Sequence, residues 1–367
     1  MTPPTLPLFT NAVDLREFYL HSEGSSFINH FIFPNLTIFE LSAVPAEEGF
    51  CASPLNFLEA SPTLRMLRMR ILGNTLLGDI PQGRIVVLPE VELFHLVMND
   101  SGPGYEIAAH ISCPSAKHTI LMNEKDADNI STQEIFPNPV SWNAIARQYT
   151  RGPFEEVTLE IKATRQTVIS CSLTFHSLDA TALRFGFQYI ASGEGYDGIQ
   201  IPFRELHHEA FSQASRTIRE HPLLANVKRI NIGHHFSVFG LAESAGIAEE
   251  AGRLFKSMGP LDKLSIYNSD PFLYLGSFVD DSEPQNTQWP VVLPSIEQLT
   301  ISHPLQRDTV KDTTVIVELA KPHYALGTPF EHVMICMQNL PTTLAERLGP
   351  WVGAVDCREE MQPDLGL

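Results

Sequence analysis

One phrase recurs along this chain and constrains its fold more than any other feature. "VELFHL", starting at Val91, places apolar residues at its first, fourth and sixth positions. The same spacing returns in "LREFYL" at Leu15, "LTIFEL" at Leu36, "LRMLRM" at Leu64 and, with Thr119 in the fourth slot, "AKHTIL" at Ala116. It continues in "FEEVTL" at Phe154, "ATALRF" at Ala180, "VKRINI" at Val227, "LDKLSI" at Leu261, "IEQLTI" at Ile296 and "FEHVMI" at Phe330. A strand sends successive side chains to opposite faces, so each copy buries its apolar set and turns the intervening residues the other way.

The steps between first positions are 21, 28, 27, 25, 38, 26, 47, 34, 35 and 34 residues. Leucine-rich repeats have periods of about 20–29 residues, so several units here carry insertions. Pro or Gly stands before many copies, as in "FPN", "SPT", "LPE", "CPS", "RGP", "MGP" and "LPS". Such residues stop the preceding element and set an extended entry. Amphipathic helical patterns fill some intervals. In "FRELHHEAFSQASRTIRE", Leu206, Ala210, Phe211, Ala214 and Ile218 share a face. In "SAGIAEEAGRLFKSMG", Ile247, Ala251, Leu254 and Phe255 do the same, with Ser244 as N-cap and Gly259 as stop. A strand–turn–helix unit cannot bury its apolar side alone, so its copies must stack. The pattern predicts an α/β fold: one irregular leucine-rich-repeat solenoid over residues 1–367, with about eleven parallel strands on the concave face and helices on the convex face. An ordinary α/β sheet with parallel crossovers is the competing architecture.

Charge and cysteine usage narrow the partners. There are 43 acidic against 25 basic side chains, a net charge of −18. That field repels polyanions, which argues against nucleic acid or a membrane surface as partner. Cys51, Cys113, Cys171, Cys336 and Cys357 are scattered without a C-x-x-C pair, which reads as reduced thiols in an intracellular (cytoplasmic or nuclear) protein. No secretory signal and no apolar run of membrane-spanning length stands out.

The repeat gives a residue-level map of the concave face. In the N-terminal half that face carries Ile38, Met66, Arg68, Arg70, Leu93, His95, Val97, Ile120 and Met122, together with Glu40 and His118. In the C-terminal half it carries Glu156, Thr158, Glu160, Arg184, Arg229, Asn231, Lys263, Ser265, Tyr267, Gln298, Thr300, Ser302, His332 and Met334. The second set is polar, as a solvated sheet should be. The first gathers so much apolar surface that it predicts a docking face for a protein partner, with Arg68 and Arg70 at its edge for an acidic group. Alternatively, the connection "MNEKDADNISTQEIFPNPV" folds back and covers it, or the strand register is shifted.

The stretches "FPNLTIFELSAVP", "LNFLEASPTLRMLRMRI", "ISCPSAKHTILMNEKDADNI", "HPLLANVKRINI" and "LAERLGPWVGAVDC" resemble the leucine-rich-repeat region of the fungal, mushroom-type F-box protein families. The resemblance spans essentially the whole chain. It implies a module in which an N-terminal F-box docks on the Skp-type linker of a cullin ubiquitin ligase while the repeats capture the substrate. Here the first repeat opens at Leu15 with no room before it for an F-box. The chain thus reads as starting mid-array, and linker docking is expected only if an F-box lies upstream.

No catalytic constellation is legible. "GEGYDG" at 193–198 matches G-x-G-x-x-G, but "IQIPF" follows where a helix should open, and Glu194 and Asp197 would repel a phosphate. The neighbouring pairs His207–His208 and His234–His235 diverge on any regular element and cannot chelate alone. Glu155–Glu156 and Asp280–Asp281 read as solvated turns. The sequence therefore predicts a non-enzymatic protein-binding module without cofactor or metal, serving substrate recognition in an F-box-type ligase adaptor. A stand-alone interaction scaffold and an enzyme of unrecognised type are the competing functions.

Overall fold

The computed structural model describes residues 12, 14–22, 31–43, 52–71, 83–98, 107–126, 154–164, 168–177, 182–190, 212, 215–216, 219, 226–236, 245–267, 274–275, 295–303, 309–337 and 343–359. The fold is mixed α/β, dominated by one large, mostly parallel sheet with few helices. Its strands in chain order are β1 (Glu17–Ser22), β2 (Ile38–Ala43), β3 (Met66–Ile71), β5 (Leu93–Met98), β7 (His118–Asp126), β8 (Phe154–Thr164), β9 (Val168–Ser177), β10 (Ala182–Ile190), β11 (Arg229–Phe236), β12 (Leu261–Tyr267), β13 (Ile296–His303), β14 (His332–Met337) and β15 (Ala354–Glu359). Two short strands, β4 (Val86–Val87) and β6 (Ile111–Ser112), pair separately.

All eleven copies of the recurring phrase are strands of the large sheet. Their order is β1-β2-β3-β5-β7-β10-β9-β8-β11-β12-β13-β14-β15, so only the middle three strands depart from sequence order. β10 is parallel to β7, and β8 is parallel to β11. The links from β8 to β9 and from β9 to β10 are only three and four residues long. A parallel crossover needs about a dozen residues, so β9 runs antiparallel between its neighbours.

The chain clusters into two compact units, Met1–Gly152 with Thr174–Ser192, and Pro153–Leu173 with Gly193–Leu367. In the first unit the phrase acquires a repeated local mechanism. Leu36, Leu64, Val91 and Ala116 each donate their backbone N–H to the carbonyl three residues back, at 3.2, 3.4, 3.4 and 3.0 Å. In each case proline occupies the second position of that turn, where its fixed φ is already correct. The residue before proline (Phe33, Ser61, Leu88, Cys113) is buried. The chain then joins its predecessor: the carbonyl of Arg16 accepts from Thr37 and Ile38, that of Thr37 from Arg65 and Met66, that of Arg65 from Glu92 and Leu93, and that of Glu92 from Lys117 and His118. Each of these four copies therefore enters the sheet through the same turn and the same forked bond.

Burial follows the phrase. Leu36, Phe39, Leu41, Leu64, Leu67, Met69, Val91, Phe94 and Leu96 are each at most 1% exposed. Helix α1 (Ala52–Glu59) packs on that side, with Phe57 against Phe39 at 4.5 Å between rings, and Phe18 and Phe33 extend the aromatic cluster. In the second unit, α2 (Ala245–Ser257) buries Ala251, Leu254 and Phe255 as the spacing requires, while the predicted cap Ser244 lies outside the described residues. α3 (Thr309–Ala325) ends where the N–H of Thr328 bonds the His323 carbonyl and that of Gly327 the Tyr324 carbonyl; Gly327 sits at φ +76°, the left-handed cap that glycine accepts without strain. α4 (Leu344–Leu348) precedes β15. No helix among the described residues is long and apolar enough to cross a membrane.

Three expectations are corrected. Glu155–Glu156 is not a turn but lies inside β8, where Arg229 of the paired strand approaches both carboxylates, at 3.5 and 3.6 Å. The polar face of the second unit is not fully solvated, because Ser265, Thr300 and Ser302 are buried. The sheet also holds two strands without a predicted counterpart, β9 and β15. The helical pattern at 206–218 is described only in part, and "GEGYDG", His207–His208 and Asp280–Asp281 lie outside the described residues.

Candidate functional site

The nine side chains singled out in the N-terminal half all belong to the first unit and share one face. Register places them in three rows across four strands. Ile38, Met66 and Leu93 are partners in the first row. Arg68, His95 and Ile120 form the second, and Arg70, Val97 and Met122 the third. Adjacent strands lie about 4.8 Å apart and rows two residues along lie about 7 Å apart, so the nine form one contiguous patch. All are half-buried or exposed, whereas their immediate chain neighbours Phe39, Leu67, Phe94 and Leu121 are buried. The alternation therefore continues through four consecutive strands without a slip.

The rows extend at both sides. Tyr19 and Glu40 precede Arg68 in the second row, and Arg184 follows Ile120. His21 and Ser42 precede Arg70 in the third. Towards the carboxyl ends of β1, β2, β3 and β5 these residues enclose an open concavity of about 440 Å³, lined by His21, Glu40, Ser42, Arg68, Arg70, His95 and Val97 among others.

Its electrostatics follow from these placements. Arg68 and Glu40 approach to 3.7 Å with half- to third-exposed side chains. A pair so solvated contributes little to stability and remains free to exchange partners. Burial holds the His95 imidazole below its ordinary pKa, and the positive charges of Arg68 and Arg184 push it the same way, against the smaller pull of Glu40. His95 is thus a neutral ring that both donates and accepts. The Tyr19 hydroxyl donates to Glu17 at 3.1 Å, which pushes its pKa up and leaves it a phenol.

The corresponding face of the second unit is built differently. The Asn231 amide donates to Glu156 Oε1 at 2.7 Å and to Thr158 Oγ1 at 3.1 Å. Arg229 lies against Glu156 from the next strand. Ser265, Thr300 and Ser302 lie below their longer neighbours, and Ser265 Oγ has no hydrogen-bond partner among the described residues. Asn231, Glu156, Thr158 and Arg229 are spent on one another.

Two chemistry-bearing groups elsewhere are packed rather than poised. Burial pushes the Cys113 thiol far above its ordinary pKa, so it behaves as a small apolar side chain. Glu250, 4% exposed, accepts from Ser215 at 2.9 Å and from Arg219 and Arg253 at 3.0 Å, which fixes α2 in place. Among the described residues, no three His, Cys, Asp or Glu side chains gather as a metal site would require. Sequence reasoning had no signal for Tyr19, His21 and Ser42 as members of the face, because β1 and the end of β2 were read only for their apolar positions. Comparison with family models, with curated proteins and with solved structures finds no match.

Proposed function

We propose that this chain is a non-enzymatic protein-binding module, an irregular leucine-rich-repeat array that serves as the substrate-recognition part of an F-box-type ubiquitin-ligase adaptor. The observation that carries the binding role is the three-by-three patch of the first unit: Ile38, Met66, Leu93, Val97, Ile120 and Met122 lie together on the face opposite the core. Contiguous apolar surface of this kind is rare unless a partner covers it. The repeated proline turn and forked carbonyl bond support the repeat reading, because four consecutive copies join their predecessors through identical backbone chemistry. The adaptor role rests on the resemblance in sequence alone.

Isolation of the endogenous protein, with its intact mass and co-purifying partners measured together, tests both parts. Recovery with a Skp-type linker and a cullin, lost for neither unit's core-neutral variants, supports the adaptor. Recovery with other partners and no linker removes that role. Replacing Leu93 and Met122 by Glu should abolish partner recovery while the melting transition stays in place; unchanged recovery removes the face itself.

A further inference from the structure

We infer that the outer edge of β15 pairs antiparallel with the β15 edge of a second copy of this chain. The two-fold axis lies at Cys357, so that Asp356 of each copy stands opposite Arg358 of the other.

The edge is the first ground. β15 ends the strand order of the large sheet, and among the described residues its strand neighbour is β14. At the entry to β2, β3, β5 and β7 the N–H of the open-face residue (Ile38, Met66, Leu93, His118) bonds the preceding strand. Ala354 holds the same place in β15, and alternate residues of a strand use opposite edges. Ala354, Asp356 and Arg358 therefore turn their backbone groups to β14, while Val355 and Cys357 turn theirs outward. Such an edge is a template for another strand.

Burial points the same way. Val355 and Cys357 pair in register with Val333 and Ile335 of β14. Val333 and Ile335 are fully buried, whereas Val355 is half-buried and Cys357 exposed. The apolar side of the sheet is left partly uncovered at this strand, and a strand added to the edge would cover it.

Charge selects the occupant and its register. Charged residues on an edge ordinarily oppose edge-to-edge pairing, and a net charge of −18 opposes association at long range. On its open face, however, β15 carries one charge of each sign, Asp356 and Arg358, two residues apart. A two-fold axis at Asp356 would set carboxylate against carboxylate, and one at Arg358 guanidinium against guanidinium. An axis at Cys357 sets two unlike pairs opposite each other, which favours association. There the outward backbone groups of the two Cys357 residues bond one another, and Asp356 and Arg358 fall in the closer, non-hydrogen-bonded pairs beside them. Within one copy Arg358 donates to Asp356 Oδ2 from Nη2 at 2.6 Å and from Nε at 3.0 Å. Their side chains are 65% and 33% exposed, so this pair is solvated and can be shared with a partner's charges.

Sedimentation equilibrium of the full chain tests this at about 0.15 M salt, where the Debye length of about 8 Å screens the long-range repulsion. The unaltered chain should move from 40.9 kDa toward twice that mass as concentration rises. D356R and R358D each set like charges opposite and should weaken dimerisation about tenfold or more. An equimolar mixture of the two should recover it, because each variant then meets the opposite sign at both positions. The double variant D356R/R358D restores the unlike pairs and should dimerise as the unaltered chain does. A mass that stays at 40.9 kDa at every concentration would overturn the second copy as occupant. Dimerisation unchanged in both single variants would overturn the β15 edge. Single variants that stay monomeric when mixed, with a double variant that is also monomeric, would overturn the axis at Cys357.

Discussion

The two units use one strand pattern to make two different surfaces. In both, the apolar positions of the phrase are buried: Leu64, Leu67 and Met69 around β3 correspond to Leu261, Leu264 and Ile266 in β12. The residues between them diverge. In the first unit they are Met66, Arg68 and Arg70, half-buried or exposed beside Leu93 and His95. In the second they are Lys263, Ser265 and Tyr267, beside Asn231, Gln298 and Thr300, where short hydroxyl residues are buried and Asn231 is bound to Glu156 and Thr158. The scaffold positions therefore fix the fold, while the positions between them are free to become a self-satisfied surface or an open one. A face that has already paired its polar groups has little to offer a partner, because each new bond must replace one already made.

The sharpest way to break this comparison is to mutate adjacent residues of one strand. Phe94 is fully buried and Leu93 lies on the open face. Phe94→Ala should cost about 3–5 kcal/mol through lost burial and a residual cavity. Leu93→Ala should cost under about 1 kcal/mol, because the side chain is already partly in water. Urea denaturation followed by circular dichroism measures both. Equal losses would mean that Leu93 is core and that the open face does not exist.

A smaller effect separates the polar networks. Asn231→Ala removes the donor to Glu156 and Thr158 and should cost about 1–2 kcal/mol, since the carboxylate keeps only part of its solvation in the folded state. Arg68→Ala removes an ion pair that is largely in water and should cost no more than about 0.5 kcal/mol. The same denaturation assay decides. If Arg68→Ala proves the costlier of the two, the first unit's face is held together by its charges and is not available for exchange.

Much of this was legible in the sequence because the phrase constrains backbone and burial at once. Proline before β2, β3, β5 and β7 sets the turn, and the apolar triplet sets the register, so Met66, Arg68 and Arg70 could be assigned to the open side from β3 alone. β15 escaped because its copy, Val352-x-x-Val355-x-Cys357, carries cysteine in the last apolar slot and lies at the sheet edge, where burial selects weakly. β9 escaped for another reason. It follows a plain alternation through Leu173 and Phe175 and belongs to a short-loop meander, not to the repeating unit. Burial of Ser265 and Thr300 could not be read, since a short side chain is shielded by the length of residues on neighbouring strands. The concavity depends on two rows meeting across four strands, and no single copy of the phrase contains it.

The finest test compares two histidines held neutral for partly different reasons. Burial is the leading cause for both His95 and His323. His323 is 1% exposed, stacks on Phe330 at 4.6 Å between rings, and sets Nδ1 3.3 Å from the Thr328 carbonyl, which opposes the shift slightly. His95 has in addition Arg68 and Arg184 acting on it. In each case the folded pKa lies below the unfolded value of about 6.5, so the folded state binds fewer protons than the unfolded one. Stability is therefore full above about pH 7 and declines as pH falls below about 6.5, and His323→Phe should flatten part of that decline. Salt distinguishes the two sites. Raising ionic strength from about 0.01 to 0.15 M shortens the Debye length from about 30 to 8 Å and screens the arginines at the open face. Imidazole proton titration by NMR should show His95 moving back toward its ordinary pKa while His323 stays in place. A salt-insensitive His95 would mean that Arg68 and Arg184 exert no field on the concavity.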